Sequence, residues 1–306
     1  MAAFATHANP ARVPDQPGSL RGAVHADIRR GGWQAFRKHV TDTPCQNAHT
    51  GVSDLTRRGG AAPRGASCQG DRVRILGHRG SCAPGPENTV EAIVQALASG
   101  ADGVEVDARR TADERLVLCH DPGRDGVALI EHPYDPVVGA PLLADGLDAC
   151  RGRRMIIEIK NVPAEPDHDA PHERTAQLVA ALLRERAGGA DTGADDVVVS
   201  SFDWFAIERV RADLGGAVPT AFLITRGVAI SAALSYALDA GHAELHVPVR
   251  TVLADPADAV TRCRDAGLGL VAWTVGSLDE AKALADAGVD GIICDDPASV
   301  VAALRD

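Results

Sequence analysis

From Asp71 onward the chain alternates short apolar runs with longer amphipathic stretches, and Gly, Asp or Pro punctuates the junctions. Short apolar runs bounded by turn residues read as buried strands, whereas apolar residues recurring every three or four positions read as helices with one face in a core. Strands are predicted at Val73–Gly77, Gly103–Ala108, Met155–Lys160, Val197–Ser201, Val218–Ile224, Glu244–Val247, Leu268–Thr274 and Gly291–Cys294. Helices are predicted at Asn88–Ser99, Glu173–Arg186, Trp204–Asp213, Ala229–Ala240, Pro256–Ala266, Leu278–Ala287 and Pro297–Arg305.

Strand and helix in alternation imply a parallel sheet, and a unit of this length fits a (β/α)8 barrel, which typically takes roughly 250 residues. A doubly wound sheet is the alternative. The segments Leu97–Asp107, Arg264–Thr274 and Ala285–Asp295 repeat one pattern, a helix closing on Gly and a strand starting a few residues later. One unit departs from it. Between Arg109 and Arg154 a turn at Ala112–Glu114 and a further apolar run at Leu116–Cys119 predict a short extra arm after the second strand, lying over the C-terminal ends of the barrel strands.

Composition divides the chain. Residues 1–70 carry nine Lys/Arg against four Asp/Glu and lack periodicity, leaving 22 against 38 for the remainder of a chain whose net charge is −11. The first seventy residues are expected to be a disordered extension, or an upstream start of translation, with 71–306 forming the folded domain; a basic tail that contacts a partner is the functional alternative. The acidic body disfavours nucleic acid and anionic membranes as partners. Seven scattered cysteines without a CxxC pair, and no apolar run near the roughly 20 residues of a membrane span, point to a cytoplasmic protein with reduced thiols. Its oligomeric state is not legible.

The chemistry lies at the ends of the predicted strands. Residues two apart in a strand face one side, so Glu105 and Asp107 in "GVEVDARR" point together, as do Glu158 and Lys160 in "MIIEIKN". Three carboxylates at one barrel mouth call for cations, and a divalent ion such as Mg²⁺ or Ca²⁺ suits their hard oxygens. Solvated strand ends paired with arginines are the plain alternative. His78 ends the first strand and His120 closes the arm, two imidazoles suited to proton transfer near neutral pH. Arg79 offers a planar fork for phosphate oxygens. Lys160, one of only three lysines, is a second cation or a salt-bridge partner of Glu158. Asp121 either orients His120 or caps the turn before Pro122. Asn88 reads as a helix N-cap with Glu91 three residues on, and Glu87 as a further contact to the carboxylate site. Trp273 either presses against substrate or packs in the core; His246 ends the sixth strand near the same mouth. Asp295-Asp296-Pro297 reads as an N-cap followed by proline. His132, His168 and His172 lie in Pro-rich loops and are expected at the surface.

Taken in order, His78-Arg79-Gly80, Pro86-Glu87-Asn88-Thr89, Glu105-Val106-Asp107, His120-Asp121, Glu158-Ile159-Lys160 and Trp273-Thr274 resemble the glycerophosphodiester phosphodiesterases across residues 73–297. The resemblance implies a TIM barrel with one divalent cation held by Glu105, Asp107 and Glu158. It implies His78 and His120 as the general acid/base pair, and Arg79 and Lys160 as phosphate binders. The substrate it implies is a small glycerophosphodiester, cleaved to sn-glycerol 3-phosphate and an alcohol, with attack by the substrate's own 2-hydroxyl through a cyclic phosphate as one route. Two departures stand out. After His120-Asp121 the family commonly continues with a Leu-x-Arg-Thr-Thr-like segment and a longer insertion, where this chain has "PGRDGVALIEHPYDPVVG"; and "WTVGS" lacks the frequent Asn. The rivals are a cyclising phospholipase-type phosphodiesterase and a noncatalytic phosphodiester-binding barrel. The first fits poorly with a chain lacking an export signal, the second with a catalytic set that has lost no member.

Overall fold

Eight strands close into a parallel ring. In the computed structural model, which describes residues 72–81, 85–124, 126–135, 140–188 and 196–305, they are β1 (Arg74–Gly77), β2 (Gly103–Arg110), β6 (Arg154–Ile159), β7 (Val197–Ser201), β8 (Thr220–Leu223), β9 (Glu244–Pro248), β10 (Gly269–Val275) and β11 (Gly291–Cys294). Each pairs in parallel with the next, and β1 pairs with both β2 and β11. That last pairing excludes the doubly wound alternative, because an open sheet would leave β1 or β2 with a free edge. The expected extension at 1–70 lies outside the described residues.

Pleating sorts the side chains. Outward residues of the ring, such as Val104, Val106, Ala108, Ile157, Ile159 and Val199, pack on the apolar faces of α1 (Val90–Ala98) and of the helices that cover β6 and β7. Inward residues Leu76, Ile156, Val198, Ala221, Val271 and Ile293 form a second buried cluster that fills the barrel, with Trp273 packed against it. One step further along the same inward rows come His78, Glu158, Ser200, Leu223 and Trp273. The period-2 rule therefore lifts functional side chains directly above this apolar cluster.

The arm is present. β3 (Leu116–Leu118) runs antiparallel to the end of β2, with Ala108 opposite Leu118 and Arg110 opposite Leu116. This places the excursion at the C-terminal end of β2, as expected. A tiny hairpin of β4 (Gly123–Arg124) and β5 (Val127–Ala128) follows. Two helices escaped the sequence reading, α2 (Leu143–Ala149) and α6 (Val249–Ala254). Each spans under two turns and neither has a side-chain N-cap bond, so the start signal is missing. The predicted helices appear as α3 (Arg174–Ala187), α4 (Trp204–Asp213), α5 (Ile230–Ala240), α7 (Pro256–Asp265), α8 (Leu278–Ala287) and α9 (Pro297–Arg305). Among the described residues no helix is long and apolar enough to cross a membrane. Cys119, Cys150, Cys263 and Cys294 are buried, outside any disulfide.

Candidate active site

At the end of β1 the chain must turn sharply enough to bring backbone and side chains onto α1. Arg79 and Gly80 both take positive φ, and a Cβ at Gly80 would fall 2.7 Å from Ala92, so only glycine fits there. The turn delivers the Arg79 backbone N–H to Glu105 Oε2 at 3.1 Å. Its guanidinium reaches back over two acids, with Nη1 donating to Glu87 Oε1 at 2.5 Å and Nε 3.2 Å from Asp107 Oδ2. Glu87 thus serves the carboxylate site through Arg79.

The N-cap expected at Asn88 belongs to Thr89, whose Oγ1 accepts from Ala92 N at 3.1 Å. Asn88 sits at φ +55°, outside the extended geometry of a cap, and its amide is engaged elsewhere. Its Nδ2 donates to Asp107 Oδ2 at 2.8 Å while its Oδ1 accepts from Asp107 N at 3.0 Å. Asn88 is a clasp on Asp107.

Glu105 and Asp107 from β2 meet Glu158 from β6, with one oxygen of each within 4.8 Å of the others. All three are buried. Lys160 Nζ bridges two of them, 2.5 Å from Glu158 Oε1 and 2.9 Å from Asp107 Oδ1, so the predicted salt bridge is real and extends to a second acid. Burial would lower the Lys160 pKa, but Glu158 and Asp107 outweigh it and hold the ammonium charged. Burial likewise opposes ionisation of Asp107, yet Lys160, Asn88 and Arg79 together bring its pKa below the ordinary carboxylate value. Glu105 fares otherwise. Burial, then the charge of Asp107, pushes it up to about 8, and burial also raises Glu158. Glu105 Oε1 is buried without a hydrogen-bond partner. Three converging hard oxygens, one of them orphaned, fit a divalent cation.

Both predicted histidines flank this cluster, and each is held through Nδ1 by a carboxylate. His78 Nδ1 lies 2.6 Å from Asp295 Oδ1, and His120 Nδ1 lies 2.8 Å from Asp121 Oδ1. The charge of His78 bears on Glu105 and that of His120 on Glu158. Ionised carboxylates accept, so in each pair the ring donates from Nδ1. Asp121 therefore orients His120, as one of its two expected roles required. Asp295 was read only as part of a cap; Asp296 takes that role, accepting from Ser299 N at 3.1 Å. The missed signal is parity, since Asp295 continues the inward row of Ile293.

Arg109, two residues beyond Asp107 on the same inward row, was also missed. It is the largest fully buried side chain described. Its Nη1 donates to both oxygens of Asp167 at 2.9 and 2.7 Å, its Nη2 to Glu165 at 2.7 Å, and its Nε to the His120 carbonyl at 2.8 Å. The segment that presents His120 is thereby tied to β2.

A cleft opens on the cluster, lined by His78, Glu105, Glu158, Ser200, Leu223, His246, Trp273, Thr274 and Ile293. Trp273 packs edge-on against Phe202 at 5.4 Å, as its core reading expects, and also lines the cleft. Arg79, Asp107 and Lys160 are not among the cleft's lining residues. His132 and His172 are exposed, as expected, and His168 is half-buried.

Comparison with known proteins places this arrangement. The sequence model described as "Glycerophosphoryl diester phosphodiesterase family" matches residues 78–129 and 127–299. A glycerophosphodiester phosphodiesterase of Caldanaerobacter subterraneus subsp. tengcongensis is 23% identical over 254 residues, covering 76% of this chain and 98% of the relative. Among solved structures, a glycerophosphodiester phosphodiesterase from Parabacteroides distasonis superposes with a TM-score of 0.64 at 23% identity, covering 77% of this chain and 98% of that one. An Oleispira antarctica phosphodiesterase in complex with the product sn-glycerol-3-phosphate gives 0.65 at 20% identity, with 77% and 98% covered.

Proposed function

The chain belongs to the glycerophosphoryl diester phosphodiesterase family, and we propose that it hydrolyses small glycerophosphodiesters to sn-glycerol 3-phosphate and an alcohol, with 71–306 as the catalytic unit. The carrying observation is the convergence of Glu105, Asp107 and Glu158 between two carboxylate-held imidazoles at one barrel mouth.

Glu105, Asp107 and Glu158 would hold one divalent cation, Mg²⁺ or Ca²⁺, whose chemistry is to offset phosphate charge and stabilise the charge that develops on the phosphoryl oxygens. Asn88 and Lys160 keep Asp107 ionised and aimed. Arg79, permanently charged, neutralises the acids at rest and offers its fork to a phosphate oxygen. One imidazole takes the proton from the attacking hydroxyl or water at its Nε2, and the other delivers a proton to the departing alkoxide. The apolar plug beneath the cleft excludes water from below.

The test is release of sn-glycerol 3-phosphate from glycerophosphocholine with and without chelator, beside His78→Ala. Turnover should vanish on chelation and fall about 10²–10⁴-fold in the variant. Turnover that survives either change overturns the mechanism.

A further inference from the structure

His246, on β9 and 1% exposed, lines the same cleft as His78, Glu105 and Glu158. It is the end of a buried chain of charges. Arg154, at the start of β6, donates to Asp196 Oδ1 at 2.7 Å and to Glu244 Oε1; Glu244 Oε2 in turn lies 3.0 Å from His246 Nε2. Glu244 and His246, two apart on one strand, both face into the barrel.

This chain sets the tautomer. Burial disfavours the Glu244 carboxylate, but Arg154 and His246 overcome it and bring its pKa down to about 2, so Glu244 is an anion that accepts. The His246 proton therefore sits on Nε2. The other ring nitrogen, Nδ1, makes no hydrogen bond with the described residues, and it is the one left to accept from a ligand. Trp273, which lines the same cleft, has its Nε1 buried without a hydrogen-bond partner. Ser200, 1% exposed, lines the cleft as well. Native proteins rarely leave buried polar atoms unsatisfied, so a buried indole donor and an unpaired imidazole nitrogen on two residues of one cleft fit a ligand group that both gives and takes a hydrogen bond. A hydroxyl does both, whereas a phosphate oxygen or a quaternary ammonium does not.

We propose that His246 is a specificity-determining residue that, with the Trp273 indole N–H, reads the free terminal hydroxyl on the polyol arm of the phosphodiester. The inference rests on the phosphodiesterase reading and names which part of the substrate lies against His246 and Trp273. A wall built to satisfy a hydroxyl rejects the analogue lacking it, because its own polar atoms are then left unpaired.

The test is calorimetric binding to the full-length chain in Mg²⁺, comparing sn-glycerol 3-phosphate with 1,2-propanediol phosphate, which lacks the terminal hydroxyl, and with inorganic phosphate. Wild type should prefer the glycerol ester about ten-fold or more. His246→Leu withdraws the cleft acceptor and leaves Glu244 to its partner Arg154; Trp273→Phe keeps the ring and withdraws the donor. Both should bring the preference towards one while leaving inorganic phosphate binding unchanged. No preference in wild type, or a preference retained in both variants, overturns the inference. Failure of wild type to hydrolyse glycerophosphocholine would instead overturn the proposed reaction, and the binding ratio would still decide the role of His246.

Discussion

His78 Nδ1 and Asp295 Oδ1 lie 2.6 Å apart although 217 positions separate them in the chain. Parallel pairing of β1 with β11, with Gly77 opposite Cys294, places the next residue of each strand side by side. Asp295 is held below its ordinary pKa, chiefly by its hydrogen bond from His78. Asp295→Asn removes the charge that fixes the imidazole proton on Nδ1. Turnover of glycerophosphocholine should fall roughly 10–100-fold with thermal stability preserved, and unchanged kcat would show that the pair is incidental.

Asn88 clasps Asp107 through both ends of its amide. In Asn88→Ala the carboxylate loses that orientation, and Mg²⁺ affinity measured by titration calorimetry should weaken about 10–100-fold, the usual cost of removing a partner that orients a ligand. Wild-type affinity in the variant would remove Asn88 from the site.

Arg109 is a buried cation whose partner Asp167 has no exposed side-chain surface. Arg109→Leu leaves that charge unpaired, which costs about 3–5 kcal/mol and lowers the melting temperature of a domain this size by roughly 10 °C. Scanning calorimetry checks it, and a shift of a degree or two would mean that Asp167 finds another partner.

Two buried acids set opposite pH dependences. Glu244, brought down to about 2, contributes stability that is complete above its unfolded value near 4.5 and is lost as pH falls towards 2. Glu173 precedes α3 and shares the Asn161 amide with Asp203. Burial, then the charge of Asp203, pushes it up to about 8. The folded state therefore holds a proton that the unfolded chain releases, so this contribution is full below about 4.5 and is lost as pH rises through 8. Denaturant unfolding from pH 5 to 9 should show a decline that Glu173→Gln lessens, with Glu105 supplying the remainder; an identical decline in the variant would place the titrating group elsewhere.

The pattern along the chain determined what one strand or helix can decide for itself. Every barrel strand was legible, because alternation and turn residues act within a few positions, and so was the shared face of Glu105 with Asp107 and of Glu158 with Lys160. Short helices without a side-chain cap, such as Leu143–Ala149, left no such mark. Partnerships lay beyond local rules. Asp295 beside His78, Asn88 clasping Asp107, Arg109 under His120 and the Arg154–Glu244–His246 chain each join separate elements. Only closure of the ring, which sets strand register and stacks the inward rows, brings those groups within hydrogen-bond distance.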